Sequence, residues 1–162
     1  MVSVVTAPAL SPPPLPTLGV LVVGLGSIGL RHWKNILDHA EEFGVAWVDG
    51  VDSNKAALER AMAYNGTVLK RGRRGRRVVV ANVFSSPRRL DYGAVLVCTP
   101  PNHHYRYAVM FPDASILVEK PITYDLPWGA EGVGARVLVA GMNLRWHPGV
   151  EWVASQAKSV VE

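Results

Sequence analysis

A glycine-rich segment, Gly24-Leu25-Gly26-Ser27-Ile28-Gly29, joins an unbroken apolar run at positions 18–23 to a segment with helical periodicity. An apolar run of this length is typical of a strand that is buried on both faces. The following segment repeats apolar residues at the spacing of an amphipathic helix, from Trp33 to Ala40, and ends at Gly44. A G-x-G-x-x-G pattern between a buried strand and a helix indicates the phosphate-binding turn of a dinucleotide-binding fold.

Each glycine of this pattern has its own physical reason. Gly24 permits the tight turn, Gly26 lets the backbone approach a pyrophosphate, and Gly29 allows close packing of helix on strand. The free N–H groups around Ser27 and Ile28, together with the positive end of the helix dipole, would then face the phosphates. A glycine-rich turn without a ligand, or one that binds S-adenosylmethionine, remains an alternative interpretation of this pattern alone.

The same fold needs a carboxylate about 20 residues further on, to accept hydrogen bonds from a ribose. Asp49 and Asp52 both qualify, at 20 and 23 positions after Gly29. We favour Asp52, because it lies at the carboxyl end of the next predicted strand, 45–51, whereas Asp49 falls in the middle of it. Ser53 is expected to lie at the same site.

The expected cofactor is NAD, because a carboxylate at position 52 would repel the 2′-phosphate of NADP. NADP remains open, since Arg31, Asn54 and Lys55 also lie close to this position in the sequence. Either Ser53 or Asn54 would cap the helix that follows.

The rest of the chain alternates strands with helices. Further strands are predicted at 45–51, 78–84, 94–98, 116–119 and 136–141, and helices at 54–64, at 104–111 and from Pro148 onwards. This alternation predicts an α/β fold, a Rossmann-type doubly wound parallel sheet. We expect the domain to span 18–148, with a Pro-rich disordered tail at 1–17 and a terminal helix at 149–162.

Composition limits the class of protein. A chain of 162 residues that is 49% hydrophobic and 19% charged is typical of one globular domain, which excludes wholesale disorder. The first thirty residues are uncharged, but five prolines interrupt the first half of this stretch and Gly24, Gly26 and Gly29 interrupt the second, so we predict no membrane span. The single cysteine, Cys98, cannot form an intramolecular disulfide, and we expect a cytoplasmic location and an inert thiol.

The net charge of +4 comes from one segment. Positions 70–77 read KRGRRGRR and hold six of the 17 basic residues, which leaves 11 basic against 13 acidic residues elsewhere. Such a segment could bind nucleic acid. A solvated loop is the better interpretation, because no aromatic side chains lie between the charges to stack on bases.

Three later motifs follow predicted strands. They are CTPPNHH at 98–104, ILVEKP at 116–121 and GMNLRWHP at 141–148. Together with GLGSIGLRH at 24–32, they resemble the Gfo/Idh/MocA oxidoreductase family, over about 18–148. The family carries T-P-x-x-x-H, E-K-P and N-x-R-x-x-P in this order, at the ends of successive strands, and a methyltransferase has no reason to do so.

The resemblance implies nicotinamide-dependent oxidation of a hydroxyl, or reduction of a carbonyl, on a sugar, a cyclitol or a similar small molecule. It implies that Lys120 is the catalytic residue, beside the nicotinamide, where it would lose hydration and share a proton with the substrate oxygen. Glu119 would steady Lys120. The remaining cofactor-binding residues that it implies are Thr99, Pro100, Asn102, His104 and Arg145.

The sequence also departs from the family. Members continue into a second α/β domain with a catalytic Asp-x-x-x-His pair, whereas here no aspartate follows Asp125, and glycines weaken the helix expected before the last strand. We therefore expect this second domain to be absent and the chain to be a weak catalyst or none. A substrate would bind only if a second domain or a partner chain completes the site.

Three further expectations concern function and partners. A non-catalytic NAD-binding or scaffolding module is the alternative function. Adjacent residues such as His103 and His104 do not converge on a metal, so we predict no metal site. Apolar surface around Trp146 and Trp152 would favour a homo-oligomer.

Overall fold

The computed structural model describes residues 18–71, 79–122 and 134–141. Its strands are β1 (Leu18–Val23), β2 (Val45–Val51), β3 (Val80–Phe84), β4 (Ala94–Val97), β5 (Ser115–Glu119) and β6 (Val137–Gly141). Its helices are α1 (Ser27–Asp38), α2 (Lys55–Arg71) and α3 (His104–Met110), and a 3-10 turn at Pro101–His103 leads into α3.

The six strands form one parallel sheet in the order β3-β2-β1-β4-β5-β6. Val23, at the end of β1, pairs with Val51 of β2 on one side and with Val97 of β4 on the other. The carboxyl ends of these strands therefore lie level along one edge. The strands that follow β1 lie on both sides of it, with β2 and β3 on one side and β4 to β6 on the other. In open α/β sheets, this reversal of strand order places a crevice at the carboxyl edge, between the strands on either side of the reversal.

Helices cover both faces of the sheet, as the doubly wound prediction requires. On one face, α1 buries Trp33, Ile36 and Leu37 against the valines of β1 and β2, and α2 adds Ala57 and Ala61. The predicted core side of α1 is thus confirmed.

On the other face, α3 contributes the buried Ala108, and Phe111 follows it. Both pack against a second core of aliphatic residues from β1, β4 and β5. Cores on both faces explain why the central strands are almost uniformly apolar.

Several element boundaries differ from the predictions. α2 continues to Arg71 instead of ending at 64, so positions 70–71 belong to a helix and not to a basic loop. A single glycine, Gly66, costs a helix only about 1 kcal/mol, which seventeen helical residues tolerate. β3 begins at Val80 rather than at 78. The predictions for 1–17, 72–78, 123–133 and 142–162, among them the apolar surface around Trp146 and Trp152, lie outside the described residues.

Candidate dinucleotide-binding site

The glycine turn has the geometry that its three glycines predict. Gly24 adopts a φ of 86°, where side chains are strained, and a Cβ there would lie 2.7 Å from the carbonyl oxygen of Cys98. A Cβ on Gly29 would overlap the carbonyl oxygen of Gly24. Gly26, in contrast, has no heavy atom within 4 Å of the place where its Cβ would be. The turn is therefore closed at its first and third glycines and open at its second.

The N-terminus of α1 opens into the same space. Gly26 is its N-cap and provides no side chain to cap it, and the Leu30 N–H donates the first helical hydrogen bond to the Gly26 carbonyl, at 2.8 Å. The N–H groups that precede Leu30 have no partner within the helix. Ser27 and Ile28, which carry two of them, are exposed. An anion could bind here through backbone donors and the helix dipole.

Asp52 lies at the carboxyl end of β2, next to this turn. Its Oδ2 accepts a 2.6 Å hydrogen bond from the Leu25 N–H, and its Oδ1 accepts a 2.7 Å bond from the Asn54 N–H. Asn54 in turn caps α2, because its Oδ1 accepts a 2.9 Å hydrogen bond from the Ala56 N–H. Of the two predicted caps, Ser53 and Asn54, the structure thus shows Asn54 in this role. The neighbouring Ser53 is exposed. The carboxylate keeps further lone pairs for a ligand.

Asp49 is not placed to bind a ribose. It is only 2% exposed, and its carboxylate accepts hydrogen bonds from the Tyr92 hydroxyl, at 2.7 Å, and from the Asn82 side-chain amide, at 3.0 Å. Burial, together with the bond to Asp49, raises the pKa of Tyr92 above its usual range. Asp49 therefore belongs to a buried polar network in the middle of β2, which leaves Asp52 as the acid at the crevice.

The residues predicted to bind the cofactor after β4 differ in their exposure to solvent. Pro100 and Asn102 are exposed at the carboxyl edge. The Oγ1 of Thr99 is buried and has no hydrogen-bond partner among the residues that the structure describes. His104 is fully buried, so its ring lies beneath the crevice and does not line it. Its Nε2 is 2.7 Å from the Thr99 carbonyl oxygen and must carry the proton, because a carbonyl only accepts.

The predicted contact between Glu119 and Lys120, at the end of β5, is not seen in the described residues. The Oε1 of Glu119 lies 2.9 Å from the Nε2 of His32, on α1, and no ion pair joins Glu119 to Lys120 within the described part of the chain. Successive side chains of a strand point to opposite faces, so Glu119 turns toward α1 and away from Lys120. Lys120, expected to lose hydration, is exposed, and its peptide bond to Pro121 is cis.

Cys98 lies between these groups, at the end of β4. Burial, and then the charge of Glu119, raises the pKa of its thiol to about 12. A thiol with such a pKa remains protonated and unreactive near neutral pH, which agrees with its predicted inert role.

The parallel sheet thus brings the predicted residues from the ends of β1, β2, β4 and β5 to one edge. Arg145 lies outside the described residues. The sequence analysis assigned no role to His32, although this residue belongs to the motif at 24–32. Its contact with Glu119 became apparent only from the structure. Among residues 18–71, 79–122 and 134–141, no three potential metal ligands gather, and no helix is long and apolar enough to cross a membrane.

Solved structures of dehydrogenases share this fold at low identity. The WlbA dehydrogenase from Bordetella pertussis, in complex with NADH and UDP-GlcNAcA, is 23% identical with a TM-score of 0.55, over 83% of this chain and 38% of that one. The WlbA enzyme from Chromobacterium violaceum, with the same two ligands, is 22% identical with a TM-score of 0.50, over 71% and 31%. Shikimate dehydrogenase from Mycobacterium tuberculosis is 17% identical with a TM-score of 0.54, over 81% and 47%.

The chain therefore spans between about a third and a half of the length of these structures. No curated protein matches the sequence. The model of the Gfo/Idh/MocA family, described as an oxidoreductase family with a NAD-binding Rossmann fold, matches residues 18–131. With that match over most of its length, and with a turn and sheet of the required geometry, the chain belongs to the Gfo/Idh/MocA oxidoreductase family.

Proposed function

We propose that this chain is the cofactor-binding part of an oxidoreductase and takes NAD in preference to NADP. The observation that carries the proposal is the contrast within the glycine turn. Gly24 and Gly29 are closed by contacts with the protein itself, whereas the space at Gly26 is open toward the N-terminus of α1. Protein packing explains the first and third glycines but not the second, which a bound pyrophosphate would explain.

The described residues fit such a cofactor along the whole edge. The N–H groups at Ser27 and Ile28 would bind the phosphates, and the Asp52 carboxylate, with Ser53, would accept hydrogen bonds from the adenosine ribose. The buried, unpartnered Oγ1 of Thr99 supports a ligand near the end of β4, because buried hydroxyls are normally hydrogen-bonded.

The proposed reaction is the oxidation of a hydroxyl, or the reduction of a carbonyl, on a sugar, a cyclitol or a similar small molecule. A bound nicotinamide would supply a carbon that accepts or donates the hydride. Lys120 would hold the substrate oxygen and share a proton with it at Nζ. The exposure of Lys120, directly after β5, supports this role, since its side chain is accessible to a ligand.

We propose that this chain is a weak catalyst, or none, when it acts alone. Hydride transfer needs the reacting atoms roughly 3 to 3.5 Å apart, and holding them there contributes about 7 to 11 kcal/mol. The described residues provide a cofactor edge but leave Lys120 uncovered. A further domain or a partner chain would have to enclose the substrate, and a non-catalytic NAD-binding or scaffolding role is the second candidate.

Two further proposals concern the state of the chain. We propose self-association, which is supported by the exposed Val137, Leu138 and Val139 along β6, at the free edge of the sheet. Sedimentation at tens of micromolar would test it, and a clean monomer would contradict it. We also propose a cytoplasmic location, which the single, unpaired Cys98 supports.

Energy transfer from tryptophan to bound NADH tests the main proposal. The chain is titrated with NADH, with NADPH and with an oligonucleotide, and we expect saturable transfer with NADH and weaker binding of NADPH. Binding that is confined to the oligonucleotide and falls steeply with salt would instead favour the nucleic-acid alternative. Steady turnover of sugars or cyclitols with NAD by the purified chain would contradict weak catalysis.

A further inference from the structure

We propose that Glu119 is a specificity-determining residue, which makes the site prefer the oxidised, positively charged nicotinamide to the reduced, neutral one. The inference rests on the proposed function, because it concerns the ring of the same cofactor. Glu119 ends β5 and directly precedes Lys120, the residue proposed to meet the substrate. Under the proposed function, a charge at the carboxyl end of β5 would lie near the reacting end of the cofactor, although the Glu119 side chain turns toward α1 and not toward Lys120.

The carboxylate of Glu119 is partly buried and contacts two neighbouring elements. Its Oε1 is 2.9 Å from the Nε2 of His32, and the two side chains are 18% and 27% exposed. On the side of β6, a Cβ added to Gly141 would lie 3.1 Å from the carboxyl carbon of Glu119. A side chain at position 141 would crowd the carboxylate and require it to shift, so α1, β5 and β6 all border its position.

The hydrogen bond from the Nε2 of His32 offsets the negative charge of Glu119 only in part. A carboxylate only accepts hydrogen bonds, so His32 donates from Nε2 whether its ring is neutral or protonated. The charge also acts beyond its own strand, because Glu119 contributes to the raised pKa of Cys98 at the end of β4. Glu119 thus places a negative potential across the ends of β4 and β5, where the nicotinamide would lie.

A fixed negative charge distinguishes the two forms of the ring. The nicotinamide ring carries a positive charge when oxidised and none when reduced, while the rest of the dinucleotide is identical. Coulomb attraction to a charge that lies within the Debye length, roughly 10 Å at 0.1 M salt, favours only the oxidised form. We expect a change of about three- to tenfold in the ratio of the two dissociation constants when this charge is removed.

The decisive experiment measures both dissociation constants at pH 8, NADH by energy transfer and NAD by displacement of NADH. Glu119→Gln removes the charge but keeps an oxygen that accepts the hydrogen bond from His32. We expect NAD binding to weaken about three- to tenfold relative to NADH binding. Glu42→Gln is the matched control: its carboxylate pairs with His39 at 3.1 Å on the exposed surface, and its removal should leave the ratio unchanged.

A second variant keeps the inference testable if Glu119→Gln fails to fold. His32→Leu removes the donor that partly offsets the carboxylate charge, so we expect the ratio to move in the opposite direction, toward NAD. An unchanged ratio in a folded variant, with equal losses of both affinities, would overturn the inference and leave the proposed function intact. Failure of the unaltered chain to bind either cofactor would overturn both.

Discussion

The carboxylate of Asp52 accepts a 2.6 Å hydrogen bond from the backbone N–H of Leu25, which joins the end of β2 to the glycine turn after β1. The same carboxylate also accepts from the Asn54 N–H at the start of α2. Asp52 thus helps to shape the glycine turn, and under the proposed function its carboxylate would also accept hydrogen bonds from the ribose. A substitution there will change both stability and cofactor affinity, and the two effects must be measured separately.

We predict that Asp52→Asn weakens NADH binding by about tenfold or more, because a hydrogen bond to a charged group contributes about 1.5 to 3 kcal/mol. The preference for NADH over NADPH should also narrow, since the variant no longer repels a 2′-phosphate. Fluorescence titration with both cofactors measures these effects, and chemical denaturation in parallel measures the loss of stability.

Asp38→Asn is a suitable control for this variant. The Asp38 carboxylate accepts a 2.6 Å hydrogen bond from the Tyr64 hydroxyl on an exposed surface at the far end of α1. Its loss should leave both cofactor titrations unchanged. Equal NADH affinities for Asp52→Asn and the unaltered chain would remove Asp52 from the proposed site.

The glycine turn allows binding to be separated from folding. Gly29→Ala places a methyl group on the carbonyl oxygen of Gly24, so we expect it to lower the free energy of unfolding by about 1 to 3 kcal/mol. Gly26→Ala meets no protein atom within 4 Å and has an ordinary φ of −63°, so its stability should be nearly unchanged. Its methyl group would nevertheless occupy the space assigned to the pyrophosphate.

We therefore expect Gly26→Ala to lose at least about tenfold in NADH affinity, a loss of ~1.4 kcal/mol, without a change in its unfolding curve. Thermal or chemical unfolding and NADH titration on the same preparations test both glycines. Normal NADH affinity in Gly26→Ala would show that the open space at the turn is not where a phosphate binds.

The order of the elements could be predicted because the signals for it are local. The apolar run of β1 and the helical spacing after Trp33 each lie within a few residues. The structure confirms the strand and the buried side of the helix, but α1 ends at Asp38, before the buried Ala40 and the predicted end at Gly44. The edge of the crevice followed from parallel topology, which brings the ends of successive strands together.

Contacts between distant residues could not be predicted in this way. Glu119 and His32 are separated by 87 positions, and neither residue carries a local signal of the other. The burial of His104 was missed for a related reason, because a polar residue next to the exposed His103 looks like a surface residue until its hydrogen bond to Thr99 is seen.

That hydrogen bond suggests a further test at His104. Because its buried ring holds the Thr99 carbonyl, His104 would position the segment at 99–103 without touching the cofactor. We predict that His104→Leu weakens NADH binding by about three- to tenfold, the effect of losing a hydrogen bond worth about 0.5 to 1.5 kcal/mol. His104→Gln, which can place an N–H donor near the former Nε2, should recover part of the affinity.

His103→Leu provides the control for these two variants, because His103 is the exposed neighbour of His104. It should leave NADH affinity unchanged. Titrations of all three variants, with unfolding curves to separate stability from binding, decide the role of His104. Equal affinities for His104→Leu and His104→Gln would show that the donated hydrogen bond does not position the segment.

The raised pKa values of the Cys98 thiol and the Tyr92 hydroxyl predict that the protein loses stability at alkaline pH. Folding raises the pKa of Cys98 from 9.0 to about 12, and it also raises the pKa of Tyr92. The unfolded chain releases these protons first as the pH rises, so it binds fewer protons than the folded chain above pH 9. Stability from Cys98 is therefore fully present below pH 9 and falls between pH 9 and about 12.

Cys98→Ala removes one of these protons and tests the sign of the effect. The free energy of unfolding should fall less steeply with pH in this variant, by up to about 1.4 kcal/mol per pH unit within that window. Urea unfolding from pH 7 to 11 measures the difference directly, because the other titrating groups are common to both chains. Parallel curves for the two chains would mean that the Cys98 thiol is not shielded by burial and by Glu119.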